Sequence, residues 1–245
     1  MSPSEFAAIE LVDVWKDYHR WQEDVAAVRG LSIVVPRGEF LSIMGPSGSG
    51  KTTALNLIAG LDLPTKGQVL IEGVSLSSLD DDALTQLRRT KVGIVFQFFN
   101  LLPSVTALDN VALPLRAAGL SRARMVNRAR NALAAVGLVD RANHRPAQLS
   151  GGEMQRVAIA RALAIEPAII LADEPTGNLD SYAGGEILSL LRDYNQQRGV
   201  TIVLVTHSHI AAAYGDRIIT LRDGQVEDEV VTRPSKPSPH LRPVS

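Results

Sequence analysis

The chain has 245 residues, 45% of them hydrophobic and only 4% aromatic, with 25 Lys and Arg against 26 Asp and Glu and no cysteine. That length supports one large domain or two lobes around a core of Leu, Ile, Val and Ala. A net charge of −1 with no dominant basic block gives no electrostatic reason to expect nucleic acid. Without cysteine, disulfides, zinc thiolates and thiol catalysis are excluded, which fits a reducing cytoplasm. The start, MSPSEFAAIELVD, lacks a basic n-region and a long apolar core, and no stretch approaches ~18 uninterrupted apolar residues. The expectation is a chain that neither crosses a membrane nor is exported.

Residues 9–14 alternate in hydrophobicity and residues 28–35 are β-branched and apolar, so both read as strands. Between them lies a loosely patterned segment, residues 16–27, with Tyr18 and Trp21. An aromatic there can stack on a nucleotide base or simply pack half-buried. Pro36-Arg37-Gly38 turns the chain into an apolar strand over 39–44, and residues 53–59 read as a helix. Strands follow over 68–74 and 92–96, the latter ending at Gln97. The next stretch, FFNLLPSVTALDNVALPL, is apolar but broken by Pro103 and Pro114, so it cannot be one regular helix. So greasy a loop suggests burial or a docking site.

Ser121 is placed to cap an amphipathic helix over 121–136, with Met125, Ala129, Ala132, Leu133 and Val136 as one stripe and Gly137 as its stop. A second helix runs from about Gly151 to Ile165. Residues 168–172 form a continuous apolar strand ending at Asp173-Glu174, residues 181–197 a helix, and residues 200–206 a buried strand ending at His207. Residues 217–221 and 225–230 flank Asp223-Gly224, a hairpin signature. From Thr232 the proline-rich end reads as a disordered tail. Strands alternating with helices argue a mostly parallel sheet with ligands at the carboxyl ends of its strands. The helix-rich stretch from about Phe98 to Glu153 reads as a separate lobe.

The strongest chemical signal is GPSGSGKTT at 45–53, between an apolar strand and a helix. Gly45, Gly48 and Gly50 let successive N–H groups turn toward one anion, and the helix start adds its amides and positive dipole end. Lys51 can reach the β- and γ-phosphates and the Thr52 hydroxyl can ligate Mg²⁺. Asp173 ends a strand as a Mg²⁺-orienting carboxylate does, and Glu174 is the adjacent candidate to deprotonate an attacking water. Leu149-Ser150-Gly151-Gly152-Glu153 opens a second helix with serine and glycines, either a plain N-cap or a second anion site. Only one cradle carries a lysine, so a second site would serve the far side of a nucleotide held elsewhere. A symmetric dimer meets that need.

In order, GPSGSGKTT, Gln97, LSGGE, IILADEP, GNLD and His207 make the chain, from Ile9 to about Val230, resemble the ATP-binding subunit of an ABC transporter. The resemblance implies an α/β P-loop NTPase fold of the ABC-ATPase type. Its core sheet would be mostly parallel, with an N-terminal antiparallel β subdomain and an inserted α-helical subdomain at about 98–153. It implies ATP bound by Tyr18, Gly45, Ser47, Gly48, Ser49, Gly50, Lys51, Thr52, Thr53 and Gln97, with Trp21 as the alternative base-stacking residue. Thr52, Gln97 and Asp173 would serve Mg²⁺, with Glu174 as general base, His207 as γ-phosphate sensor and Lys51 also catalytic. Asp180 would link the two sites of a homodimer, and Ser150, Gly151, Gly152 and Glu153 would complete the partner's site. Glu153 stands where many members have Gln.

FQFFNLLPSVTALDNVALPL and GNLD look like the MacB/LolD group of lipoprotein-release and macrolide-export ATPases. That resemblance implies a separate FtsX/MacB-like membrane permease docking near Phe98, Phe99, Leu101 and Leu102, and a subunit peripheral on the cytoplasmic face of the cell membrane, without insertion. A cell-division-type ATPase that moves no substrate is the alternative within the family. A P-loop kinase or GTPase would leave the LSGGE segment unexplained. Non-transport ABC ATPases of DNA repair or translation typically carry coiled coils, zinc cysteines or tandem ATPase units, which this chain lacks.

Overall fold

The computed structural model of the protein describes residues 7–20 and 23–233. In chain order the strands are β1 (Ala7–Arg20), β2 (Glu23–Pro36), β3 (Phe40–Met44), β4 (Lys66–Ile71), β5 (Val74–Ser75), β6 (Val92–Val95), β7 (Ile169–Asp173), β8 (Thr201–Val205), β9 (Arg217–Arg222) and β10 (Gln225–Val231). The helices are α1 (Lys51–Ile58), α2 (Asp81–Thr90), α3 (Ala107–Ala117), α4 (Arg122–Ala135), α5 (Gly151–Leu163), α6 (Ser181–Arg198) and a short α7 (His209–Ala212). The described residues up to 80 and from 192 onward form one unit, and residues 81–191 another.

In the first unit, β1 pairs antiparallel with β2 and β4, giving a sheet of order β2-β1-β4-β5. The strands of β1 and β2 run further than their hydrophobic pattern does, so Tyr18 lies on a strand and not in the irregular segment expected there. Cross-strand backbone pairing, Tyr18 with Val25 and Asp17 with Ala26, carries the hairpin outward where the alternation gives out. Trp21 lies outside the described residues.

The same unit holds β3 between β8 and β9, parallel to both, with β10 antiparallel at the edge. Every residue of β3 and β8 is buried, the continuous apolar run that a parallel strand covered on both faces requires. The β9–β10 turn is the expected hairpin: Asp223 and Gly224 both have positive φ, 50° and 80°, as the twist of a two-residue type I′ connection demands. Beneath the sheet, Arg217 grips the buried Glu39 through two bonds of 2.8 and 3.0 Å. Burial pushes the Glu39 carboxyl up and Arg217 opposes that shift. The Thr232 and Arg233 amides bond to the Asp216 carbonyl. The rest of the proline-rich tail, from residue 234, lies outside the described residues.

In the second unit β6 and β7 are parallel, Val95 opposite Ala172, and α3 packs on α4 and α5. The antiparallel N-terminal sheet, the parallel strands and the helical subdomain match the expected fold class. Some local expectations change. Pro103 stays outside a helix, but Pro114 sits inside α3, which starts at a capping box between Thr106 and Asp109. Pro114 is the eighth residue of an eleven-residue helix, where it cannot donate to the Asn110 carbonyl one turn earlier, and Ala118 still closes on the Pro114 carbonyl. Ser121 holds the N-cap position of α4 without a side-chain capping bond. The far end closes as expected, with Gly137 N–H on the Ala134 carbonyl and Leu138 N–H on that of Leu133. The polar residues 81–90 form a helix, α2, whose first turn carries Asp81 and Asp82 and whose last carries Arg88 and Arg89.

Candidate functional site

In the first unit β3 delivers the chain into a loop whose Gly45, Gly48 and Gly50 have φ of 147°, 81° and 95°. Two of these positions also lack room. A Cβ on Gly45 would lie 2.2 Å from the Leu221 carbonyl oxygen, and one on Gly50 would lie 2.3 Å from that of Ala27. The cradle is therefore wedged between β2 and the β9–β10 turn, and backbone bonds fasten it: Gly224 N–H to Ser49 O at 3.1 Å, and Arg29 N–H to Gly224 O at 2.8 Å. Sequence reading found the loop but not its clamp, because Ala27, Leu221 and Gly224 act through carbonyls and absent side chains.

The start of α1 has no side-chain cap at Gly50 and no acid in its first turn, so nothing of this helix opposes an anion there. Lys51 is largely buried and its ammonium donates to the Gly45 and Pro46 carbonyls, both at 2.8 Å, holding it along the loop. Ser47, Gly48 and Thr52 are exposed. Ser49 is 2% exposed, so it faces the interior and can serve an anion only through its backbone.

Tyr18 is half-buried and donates its hydroxyl to Asp62 Oδ2 at 2.9 Å; the Thr53 side chain of α1 bonds it as well. Lys16 lies 5.1 Å from the ring centroid and bonds Asp62 Oδ1 at 2.6 Å. Burial and the Asp62 carboxylate push the Tyr18 hydroxyl up. Burial would raise Asp62, but the bonds from Lys16, Tyr18 and the Leu63 amide outweigh it and hold its carboxyl below the ordinary range. Asp62 and Lys16, which orient the ring, have no sequence signature. His207 is exposed and follows Thr206, whose amide bonds to the Ile43 carbonyl, so it stands at the carboxyl end of β8 beside the strand that enters the cradle.

In the second unit the carboxyl ends of β6 and β7 lie side by side, which brings Gln97 and Asp173-Glu174 to one edge. Glu174 has a φ of 46°, a strained value for a side chain of its kind. The loop after it folds onto Gln97. Asn178 donates to the Gln97 carbonyl at 2.9 Å, and a Cβ on Gly177 would lie 2.8 Å from Gln97 Nε2. Asp180 caps α6 by accepting the Ala183 amide at 2.8 Å. Ser150 caps α5 in a reciprocal box with Glu153, and a Cβ on Gly151 or Gly152 would touch Leu179 or Ala183 at 3.4 and 3.5 Å. Arg161 of α5, whose guanidinium pKa burial lowers, holds the Gln97 loop through the carbonyls of Phe99 and Asn100 at 3.0 and 2.5 Å. The buried Asn110 clasps Leu102 through both its amide and its carbonyl. Phe98 and Leu102 are exposed, whereas Phe99 and Leu101 are partly covered.

A glycine cradle opening a helix, with a lysine along it and a strand-ending acid pair in the same chain, defines a P-loop ATPase. The ABC transporter family model matches residues 28–177. The chain belongs to that family, as an ATP-binding and ATP-hydrolysing protein. It is 52% identical over 225 residues to the uncharacterized ABC transporter ATP-binding protein MJ0796 of Methanocaldococcus jannaschii, covering 90% of this chain and 96% of the relative. A dimeric structure of MJ0796 bound to ADP and Pi superposes with a TM-score of 0.85 at 49% identity, over 92% of this chain and 99% of the other. The lipoprotein-releasing system ATP-binding protein LolD of Anaeromyxobacter dehalogenans is 47% identical, over 91% of this chain and 94% of its own. The methionine import ATP-binding protein MetN of Brucella abortus is 48% identical, over 87% of this chain and 58% of its own. Among the described residues no helix is long and apolar enough to cross a membrane.

Proposed function

We propose that the chain closes head to tail on a second copy around two ATP and drives a separate membrane permease of the export or lipoprotein-release type. The observation that carries this reading is the presence of two unlike anion-accepting helix starts in one chain. The α1 start brings a lysine and an uncapped glycine. The α5 start brings Ser150, whose oxygen accepts the Glu153 amide at 3.2 Å and so keeps its own proton for an oxyanion. In the dimer Ser150, Gly151 and Gly152 of one chain complete the γ-phosphate site built on Lys51, Thr52 and the loop amides of the other.

Adenine stacks on the face of Tyr18 away from Lys16. Thr52, Gln97 and Asp173 offer only oxygen donors with a single carboxylate, a set suited to Mg²⁺, which also takes phosphate oxygens and water. When bound, Mg²⁺ neutralises phosphate charge. Glu174 takes the proton of the attacking water, His207 positions the γ-phosphate, and Asp180, at the start of α6, passes the state of one site to the other.

The permease docks on Phe98 and Leu102, which Arg161 and Asn110 hold at the surface. The subunit thus sits on the cytoplasmic face of the membrane without entering it. MetN is as similar as LolD, so the export direction rests on the loop resemblance. Affinity purification of the tagged chain from native membranes tests it. The expected result is one integral protein of the FtsX/MacB type, retained by the native chain and lost on Phe98→Asp with Leu102→Asp. Recovery of an import permease, or of no membrane protein, refutes the assignment.

A further inference from the structure

We infer that Arg141 is a positioning residue for the anion-accepting start of α5, holding Glu153 in its capping bond while cancelling its charge. The inference rests on the reading that this helix start meets a partner's γ-phosphate. Glu153 spends both carboxylate oxygens: Oε2 accepts the Ser150 amide at 2.8 Å and Oε1 accepts Arg141 Nε at 2.9 Å. An acid in the first turn favours the helix itself. The same negative charge opposes an arriving phosphate, and the start of α1 carries no such acid. A neutral glutamine in the same place could make the same capping bond without the repulsion. Glutamate at this position therefore needs a counter-charge, and among the described residues Arg141 is in contact with it.

The backbone fixes the seat of Arg141. Its amide bonds to the Leu138 carbonyl, and its carbonyl accepts the His144 amide. The neighbouring Ala142 and His144 carbonyls take the first amides of α3, those of Leu108 and Ala107. The arginine thus stands on the frame that carries α3 and α4. The carboxyl of Glu153 is held below its ordinary range, first by the Ser150 amide and then by Arg141, so the charge to be cancelled is present at neutral pH.

The test is a double-mutant cycle in the full chain, carrying Glu174→Gln to retain ATP, read as the ATP-dependent dimer by light scattering. An exposed charge pair changes an equilibrium by up to roughly fivefold, and each dimer has two such sites. Arg141→Ala should therefore weaken the dimer by up to about 25-fold, and Arg141→Lys should keep most of the affinity. With Glu153→Gln also present, Arg141→Ala should change it by less than about twofold, since no charge remains to cancel. An equal loss in both backgrounds would make Arg141 a purely structural support and overturn the inference. No loss in either would overturn it too, while leaving the shared-site reading intact. A parent protein that forms no ATP-dependent dimer would remove both.

Discussion

Replacing Gly50 and Gly48 by alanine, one at a time, separates the shape of the cradle from its flexibility. The two glycines have similar φ, 95° and 81°, so each alanine incurs a comparable left-handed penalty of about 1–2 kcal/mol. Their surroundings differ. A Cβ at 48 meets nothing within 4 Å, whereas one at 50 meets the Ala27 carbonyl oxygen at 2.3 Å and the Gly224 Cα at 3.5 Å. To restore ordinary contact the backbone of β2 must retreat by ~1.1 Å, and close-packed interiors resist such shifts at about 1–3 kcal/mol for overpacking. Gly48→Ala should thus lower unfolding stability by about 1–2 kcal/mol, and Gly50→Ala by roughly 3 kcal/mol or more. Urea unfolding measures the stability, and titration with a fluorescent ATP analogue measures the cradle. Gly50→Ala should lose more than ~10-fold in affinity, because α1 and the loop amides move with the clamp. Equal effects at the two positions would refute the claim that the β9–β10 turn and β2 hold the cradle.

Glu174→Gln should lower ATP turnover by about 10²–10⁴ while the ATP-bound dimer accumulates, and unchanged turnover in a phosphate-release assay would sink its role as base. Arg161→Ala leaves the Phe99 and Asn100 carbonyls without their donor and should cost about 1–3 kcal/mol in urea unfolding, with faster hydrogen exchange confined to residues 96–102. Uniform exchange across the second unit would contradict that clasp. The depressed carboxyl of Asp62 contributes stability above its unfolded value of about 3.8, lost as pH falls through the lower folded value. Thermal unfolding of the native chain and Asp62→Asn should therefore differ at pH 6 and converge as the pH falls below the lowered folded value. A gap that persists in acid would show that the carboxylate charge is not what holds Lys16 and Tyr18.

The parts that can be read in the sequence are those whose chemistry is local. The run into Gly45, the N-cap position of Ser150, and the turn residues Asp223-Gly224 each announce a conformation within a few residues. Tyr18 could be named but not placed, since its strand is sustained by pairing with β2 and not by its own alternation. Pro114 reads as a breaker, yet packing against α4 and α5 carries α3 through it. The orienting groups stayed hidden for the same reason: Asp62, Arg161, Asn178 and Arg141 belong to no local pattern and act on residues 12 to 81 positions away. Ser49 shows the converse, a motif residue whose side chain turns into the core.

The most direct test of the shared-site account is complementation between two disabled chains, each carrying Glu174→Gln. Ser150→Arg keeps its own cradle but cannot complete a partner's, and Lys51→Ala does the reverse, so neither should dimerise with ATP alone. Mixed, with one chain enlarged by a tag, they should form an ATP-dependent heterodimer by light scattering, holding about one ATP. If the mixture stays monomeric while Ser150→Arg alone still binds ATP, the two helix starts do not share a nucleotide.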